Sequence, residues 1–158
     1  MKVDKTNAMR ILDKNKVLYK IHTYEVKDGE IDGLTVAAKV GKNKEEVFKT
    51  LVTQGNSKNY YVFCVPVYCE LDLKKAAYIV SEKNIELINQ KNLLQITGYI
   101  RGGCSPIGMK KQFKTVFHKS ILELNTVTVS GGKIGIQIEI DSKEIIVESG
   151  GLIADIIK

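Results

Sequence analysis

The chain has 158 residues, of which 44% are hydrophobic and 27% charged, with 13 glycines and two prolines. Disordered, collagenous and linker-dominated chains are excluded by that composition, and the length suits one domain, 1–158, with a sizeable core. The net charge of +6 comes from 24 basic and 18 acidic residues. Such a surface is either a solvated lysine coat or a face that attracts phosphate.

No apolar run reaches the roughly 18–20 residues that cross a bilayer. The longest candidate, Ile134 to Ile140, is broken by Gly135, Gln137 and Glu139. Met1 to Asn7 has no apolar stretch behind it and does not read as a secretory leader. Three cysteines, Cys64, Cys69 and Cys104, are an odd number, which favours reduced thiols and a cytoplasmic setting. A zinc site is not expected, because the paired short spacings of structural zinc are missing. No cofactor is implied.

In chain order, Ala8, Met9, Ile11 and Leu12 predict a short helix, capped by Thr6 or Asn7 and ending near Asn15. Val17 to Tyr24 is β-branched and aromatic, hence a strand. Leu34, Val36, Ala37 and Val40 suit one face of a helix stopped by Gly41, and Glu45–Glu46 a helical turn. Val47–Val52 and Tyr60–Val67 flank turn residues and predict an antiparallel hairpin. Asp72 caps a helix carrying Leu73, Ala76, Ala77 and Val80. Ile85, Leu87 and Ile88 predict a second amphipathic helix ending near Asn92. Thr126–Ser130 is a strand, Gly131–Lys133 a turn, Ile134–Ile140 an alternating strand, and Asp141 or Ser142 starts a last helix. The expected class is α+β: a curled, barrel-like mixed sheet flanked by short helices.

Four glycines fall between Gly98 and Gly108, around Ser105 and Pro106. Glycines permit close backbone approach to a ligand, and exposed N–H groups there can hold an oxyanion. An ordinary structural turn is the alternative. Ser105 lacks the Gly-x-Ser-x-Gly frame of an esterase nucleophile. His22 and His118 are weak general-base candidates. Ser130–Lys133 fails as a phosphate-binding loop, since Val127 stands where the first glycine belongs. Lys49 lies within an apolar strand, sharing one face with Val47 and Leu51, while Phe48, Thr50 and Val52 share the other. It is either functional or a snorkelling edge lysine. Arg101, Lys110, Lys111, Lys114 and Lys119 surround the glycine segment and could guide a phosphodiester chain. Tyr60–Tyr61 suits core packing or base stacking.

These pieces occur together in order: Ile21–Tyr24, Val47–Leu51, Leu71–Lys75, Thr97–Gly108, and Val129–Lys133 with Ile136–Ile140. The pattern resembles the YbaK/EbsC-like aminoacyl-tRNA deacylases, relatives of the editing domain of bacterial prolyl-tRNA synthetases, from about Ala8 to Ile156. Its nearest likeness is the Cys-tRNA(Pro) deacylase branch. The resemblance implies removal of cysteine, or in related branches alanine, from mischarged tRNA(Pro), with the substrate's thiol attacking its own ester. It implies a catalytic group of Lys49, Gly102, Gly103, Ser105 and Pro106. It implies a substrate pocket of Tyr24, Thr50, Cys104, Gly108, Ser130, Gly131 and Gln137. Gln137 stands where some relatives carry an aspartate, and Cys104 where most carry an aliphatic residue. Prolyl-tRNA synthetase is a candidate partner, and monomer and homodimer both stay open. The rival reading is a non-catalytic module that binds tRNA or the synthetase.

Overall fold

Side-chain caps set most of the helix starts. The computed structural model describes residues 4–26 and 28–158. The Thr6 hydroxyl accepts the Met9 N–H and opens α1 (Asn7–Lys14), which buries Ala8, Met9 and Leu12. β1 (Tyr19–Thr23) follows. Asp32 caps α2 (Gly33–Lys39) by accepting from the Thr35 N–H. β2 (Phe48–Gly55) and β3 (Tyr60–Pro66) form the hairpin. Asp72 caps α3 (Leu73–Ile79), and β4 (Ile85–Leu87) returns to pair with β2. A 3₁₀ turn leads into α4 (Leu93–Thr97), closed by Gly98 in the left-handed conformation. β5 (Lys114–His118), β6 (Thr126–Lys133) and β7 (Ile136–Asp141) follow. Asp141 caps α5 (Ser142–Ser149), and β8 (Leu152–Ala154) completes the fold.

Among the described residues the strands make two sheets, not the curled barrel expected from sequence. One is antiparallel, ordered β1-β7-β6; the other is mixed, ordered β4-β2-β3-β5-β8. A parallel bridge between Val47 and Thr128 joins them. The main core lies between the sheets: Phe48, Val52, Val62, Cys64 and Phe117 meet Val127, Val129, Ile136, Ile138 and Ile140, with α1 at one side. α3 covers the other face of the mixed sheet, packing Ala76, Ala77 and Val80 on Phe63, Val65 and Val116. Each sheet keeps its own edges, so nothing forces the closure a barrel needs.

Three other expectations are corrected. Ile85–Leu87 is a strand, because it pairs with Thr53–Gly55, and the helix is displaced to Leu93–Thr97. The Gly131–Lys133 turn is a bulge within β6, and the chain reverses at Ile134–Gly135. The Thr6 hydroxyl donates to the Gly131 carbonyl at 2.6 Å, and a Cβ at Gly132 would lie 3.0 Å from the Tyr99 ring. Glycine is therefore needed for close packing there rather than for reversal. Glu45–Glu46 forms a plain turn. β5 and β8 are strands that the periodicity reading did not assign.

On β7, Ile136, Ile138 and Ile140 enter the core, so Gln137 and Glu139 share the opposite face. Glu139 is held there by Lys42 Nζ at 2.9 Å, His22 Nε2 at 2.9 Å and the Thr126 hydroxyl at 2.8 Å. Lys42 follows α2, so this ion pair ties α2 to the antiparallel sheet. Lys42 chiefly, helped by His22 and Thr126, pulls the Glu139 carboxyl down from 4.5 to about 2 against the opposing effect of burial. Its folded value lies below its unfolded one, so the contribution is full above about pH 4.5 and is lost as pH falls toward 2. Glu139→Gln is expected to cost on the order of 2 kcal/mol at pH 7, and the gap to the parent narrows at pH 2.5. Urea denaturation at both pH values checks this, and a gap independent of pH would contradict it.

Candidate functional site

β4 and the residue after it pair with β2 only as far as Val52, whose carbonyl accepts from the Ile88 N–H. The bridge to β6 lies at Val47. Between these points, among the described residues, β2 has no ladder partner on its outer edge, where β6 diverges from it beyond the bridge. The alternation of an antiparallel ladder turns the Phe48 C=O and the Thr50 N–H and C=O toward that edge, while the Phe48 N–H is taken up at the bridge to Thr128. Along it runs a cavity of about 380 Å³.

Segments far apart in the chain build its wall, among them Leu87, Ile88, Gln90 and Leu93 from β4 to α4. β2 supplies Lys49 and Thr50, the segment after β1 supplies Tyr24, and the start of α2 supplies Asp32, Gly33 and Val36. The glycine segment supplies Arg101, Gly102 and Cys104, and the β6–β7 pair supplies Ser130 and Gln137, which face each other in register. Seven residues named from sequence thus meet here: Tyr24, Lys49, Thr50, Gly102, Cys104, Ser130 and Gln137. Gly103, Ser105, Pro106, Gly108 and Gly131 stand behind the wall rather than in it. Asp32 and Gln90 line the cavity without a sequence signal, and Arg101, expected as one of the cations around the glycine segment, lines it too. The helix there follows from Leu34, Val36, Ala37 and Val40, while Asp32, which caps it, carries no sequence signal of a cavity.

The glycine segment is pinned from within. The Tyr99 hydroxyl donates to the Ile107 carbonyl at 2.6 Å, and the Thr97 hydroxyl accepts the Tyr99 N–H at 3.0 Å. Ser105 is fully buried, and its hydroxyl accepts the Ile107 N–H at 3.3 Å. It fixes the turn and has no route to a ligand. Gly103 donates its N–H to Ile100, and a Cβ there would lie 2.9 Å from the Ile134 nitrogen. Gly102 has φ +82°, with Ile31 packed over it. Among the described residues the amides of Gly102 and Cys104 have no protein acceptor, which leaves them for a ligand.

The charges fit an anionic ligand. Lys49 is half-buried, and among the described residues neither it nor Arg101 has an acidic partner. Asp32 is engaged by Thr35, whose hydroxyl and N–H hold its carboxyl below the usual range. Gln137 is neutral, and the nearest carboxylate on its face, Glu139, is compensated by Lys42. Burial pushes the Cys104 thiol up to about 12, so it stays protonated at neutral pH and is no nucleophile. Cys64 is shifted upward by burial too, with its thiol 3.9 Å from the Thr50 hydroxyl. The Tyr24 hydroxyl is buried without a hydrogen-bond partner. Such an orphan is costly unless a ligand satisfies it.

The histidines lie elsewhere. His22 belongs to the Glu139 cluster. His118 is buried, and its Nδ1 accepts the Ile156 N–H at 3.3 Å. Desolvation lowers its pKa, which keeps it neutral as a tie to the C-terminal segment. Among the described residues no group of three or more His, Cys, Asp or Glu could hold a metal ion. No described helix is long and apolar enough to cross a membrane.

A cavity with uncompensated cations and amides that lack protein acceptors suits an anionic ligand. The model of the aminoacyl-tRNA editing domain matches residues 34–146. A protein of Enterococcus faecalis, provisionally named Cys-tRNA(Pro)/Cys-tRNA(Cys) deacylase EbsC, is 43% identical over 152 residues, covering 96% of this chain and 93% of the relative. The crystal structure of a provisionally assigned trans-editing enzyme for prolyl-tRNA synthetase matches with TM-score 0.84 and 21% identity, over 99% of both chains. A hypothetical protein of known structure matches with TM-score 0.87 and 18% identity, over 97% of this chain and 100% of its own. Those two likenesses establish the fold. The chain belongs to the aminoacyl-tRNA editing-domain family of deacylases.

Proposed function

We propose that this chain removes cysteine from Cys-tRNA(Pro) after the mischarged tRNA has been released, using the substrate's own thiol. The observation that supports it is that Lys49 lines one cavity together with Gly102 and Cys104, whose amides have no protein acceptor among the described residues. At about 380 Å³ that cavity sits at the small end of ligand pockets. It suits a small amino acid on a terminal adenosine. The similarity to a relative named for cysteine on tRNA(Pro) and tRNA(Cys) points the same way.

In this reading the cysteine sulfur attacks its own ester carbonyl. A C–S bond forms, the bond from the carbonyl carbon to the ribose oxygen breaks, and that oxygen receives the proton the thiol gave up. The products are a cyclic thiolactone and tRNA with a free terminal hydroxyl; no protein nucleophile and no water are consumed. Intramolecular attack replaces a bimolecular encounter. The amides of Gly102 and Cys104 would take the developing oxyanion, one such donor being worth about 3 kcal/mol. Lys49 would anchor the terminal phosphate or ribose and favour the thiolate. Tyr24, Thr50 and Gln137 would fit the side chain and exclude proline, and Ser130, Gly131 and Gly108 would hold the wall. Cys-tRNA(Pro) arises where prolyl-tRNA synthetase works, so the cytoplasm is the expected setting.

Cysteine release from Cys-tRNA(Pro) is expected to fall at least about a hundredfold in kcat/KM for Lys49→Ala. Undiminished turnover would remove Lys49 from the reaction. Ser-tRNA(Pro) is expected to react far more slowly; equal rates would replace thiol attack by water. A panel with Ala-tRNA(Pro) and Pro-tRNA(Pro) reads the amino-acid preference, and binding without release from any of them would favour the non-catalytic module. Tyr24→Phe separates site from scaffold. Deleting an orphan hydroxyl leaves Tm unchanged or raised, while KM for the charged tRNA increases severalfold. A fall in Tm with KM unchanged would take Tyr24 out of the pocket's work.

A further inference from the structure

Leu87 and Ile88 form a wall common to the site cavity and a second one of about 560 Å³. The two differ in character. The second is lined chiefly by amide side chains, Gln54, Asn56, Asn84, Asn89 and Asn92, together with Glu86. The Asn56 N–H donates to the Asn84 carbonyl at 3.1 Å, which fixes the hairpin tip against the start of β4. Gln54 spends its amide donor on the Lys58 carbonyl at 3.1 Å, and Asn89 its oxygen on the Lys91 N–H at 3.1 Å. Among the described residues the side chains of Asn56, Asn84 and Asn92 have no hydrogen-bond partner.

An amide presents a donor and an acceptor side by side, which is the pattern on the edge of a nucleobase. A carboxylate in the same wall opposes phosphate but accepts from the exocyclic amine of cytosine. Lys58 adds a cation and Tyr60 an aromatic face. Unpaired RNA is read by this combination of edge contacts and stacking. We infer that this groove takes the unpaired cytidines that precede the terminal adenosine of a tRNA. The inference rests on the reading of the first cavity as the aminoacyl-adenosine site: the nucleotides before that adenosine must leave it, and the shared Leu87–Ile88 wall gives them an adjoining surface.

The test compares two esters on the parent and on the double variant Asn56→Ala, Asn84→Ala, both positions being exposed and outside the reaction site. For cysteinyl-tRNA the variant raises KM about tenfold and keeps kcat. For 2′(3′)-cysteinyl adenosine, which lacks the cytidines, it changes nothing. Equal effects on both esters, or none on either, overturn the inference. Cleavage of neither ester by the parent chain defeats the proposed reaction instead. In that case fluorescence anisotropy with a labelled oligoribonucleotide ending in CCA still reads the groove. Parent binding about tenfold tighter than variant binding, and weakened when the cytidines become uridines, supports it; equal affinities overturn it.

Discussion

An unpaired strand edge inside a folded protein is the constraint around which this structure is arranged. β2 lies between β3 and β4 and packs on both faces, yet among the described residues Thr50 has no ladder partner on its outer side. Backbone groups there must find water or a ligand. Left on the surface, such an edge would invite another strand. Set between two sheets, the glycine segment and α2, it becomes one wall of a cavity. The Val47–Thr128 bridge fixes one end of the opening and the Ile88 to Val52 hydrogen bond fixes the other.

The surroundings of that edge are rigid for a physical reason. The glycine segment carries its own internal hydrogen bonds through Thr97, Tyr99 and Ser105. Donors fixed before the reaction need no reorganisation during it. α2 is held by the Lys42–Glu139 pair on one side, while Lys39 binds the carbonyls of Glu25 and Glu30 and the carboxylate of Asp28. Those ties leave Lys49 and Arg101 as the uncompensated cations of the cavity.

What could be seen in the chain beforehand was local. Thr6, Asp72 and Asp141 announced their helices, because a cap is satisfied within three residues of itself. Period two put Phe48 and Val52 on one face of β2 and Lys49 and Leu51 on the other. Ile85–Ile88 reads as helix in the sequence because a short apolar run fits strand and helix equally until a partner exists. β5 hid beside a run of lysines, and β8 is only three residues long. Gly131–Gly132 read as a turn because sequence shows a glycine's freedom, not the helix end that presses on it.

Neighbouring residues alone were enough to place most strands and helices, to set Lys49 within an apolar strand, and to show the motif order that carries the family resemblance. The packing of distant segments was needed to show that the strands form two sheets and that Tyr24, Gly102 and Gln137 line one cavity with Lys49. It also decided that Ser105 and Pro106 turn inward while Asp32, Gln90 and Arg101 turn toward the cavity. Caps and periodicity are written into neighbouring residues, whereas a cavity is formed by segments far apart in the chain, and its walls exist only once they have packed.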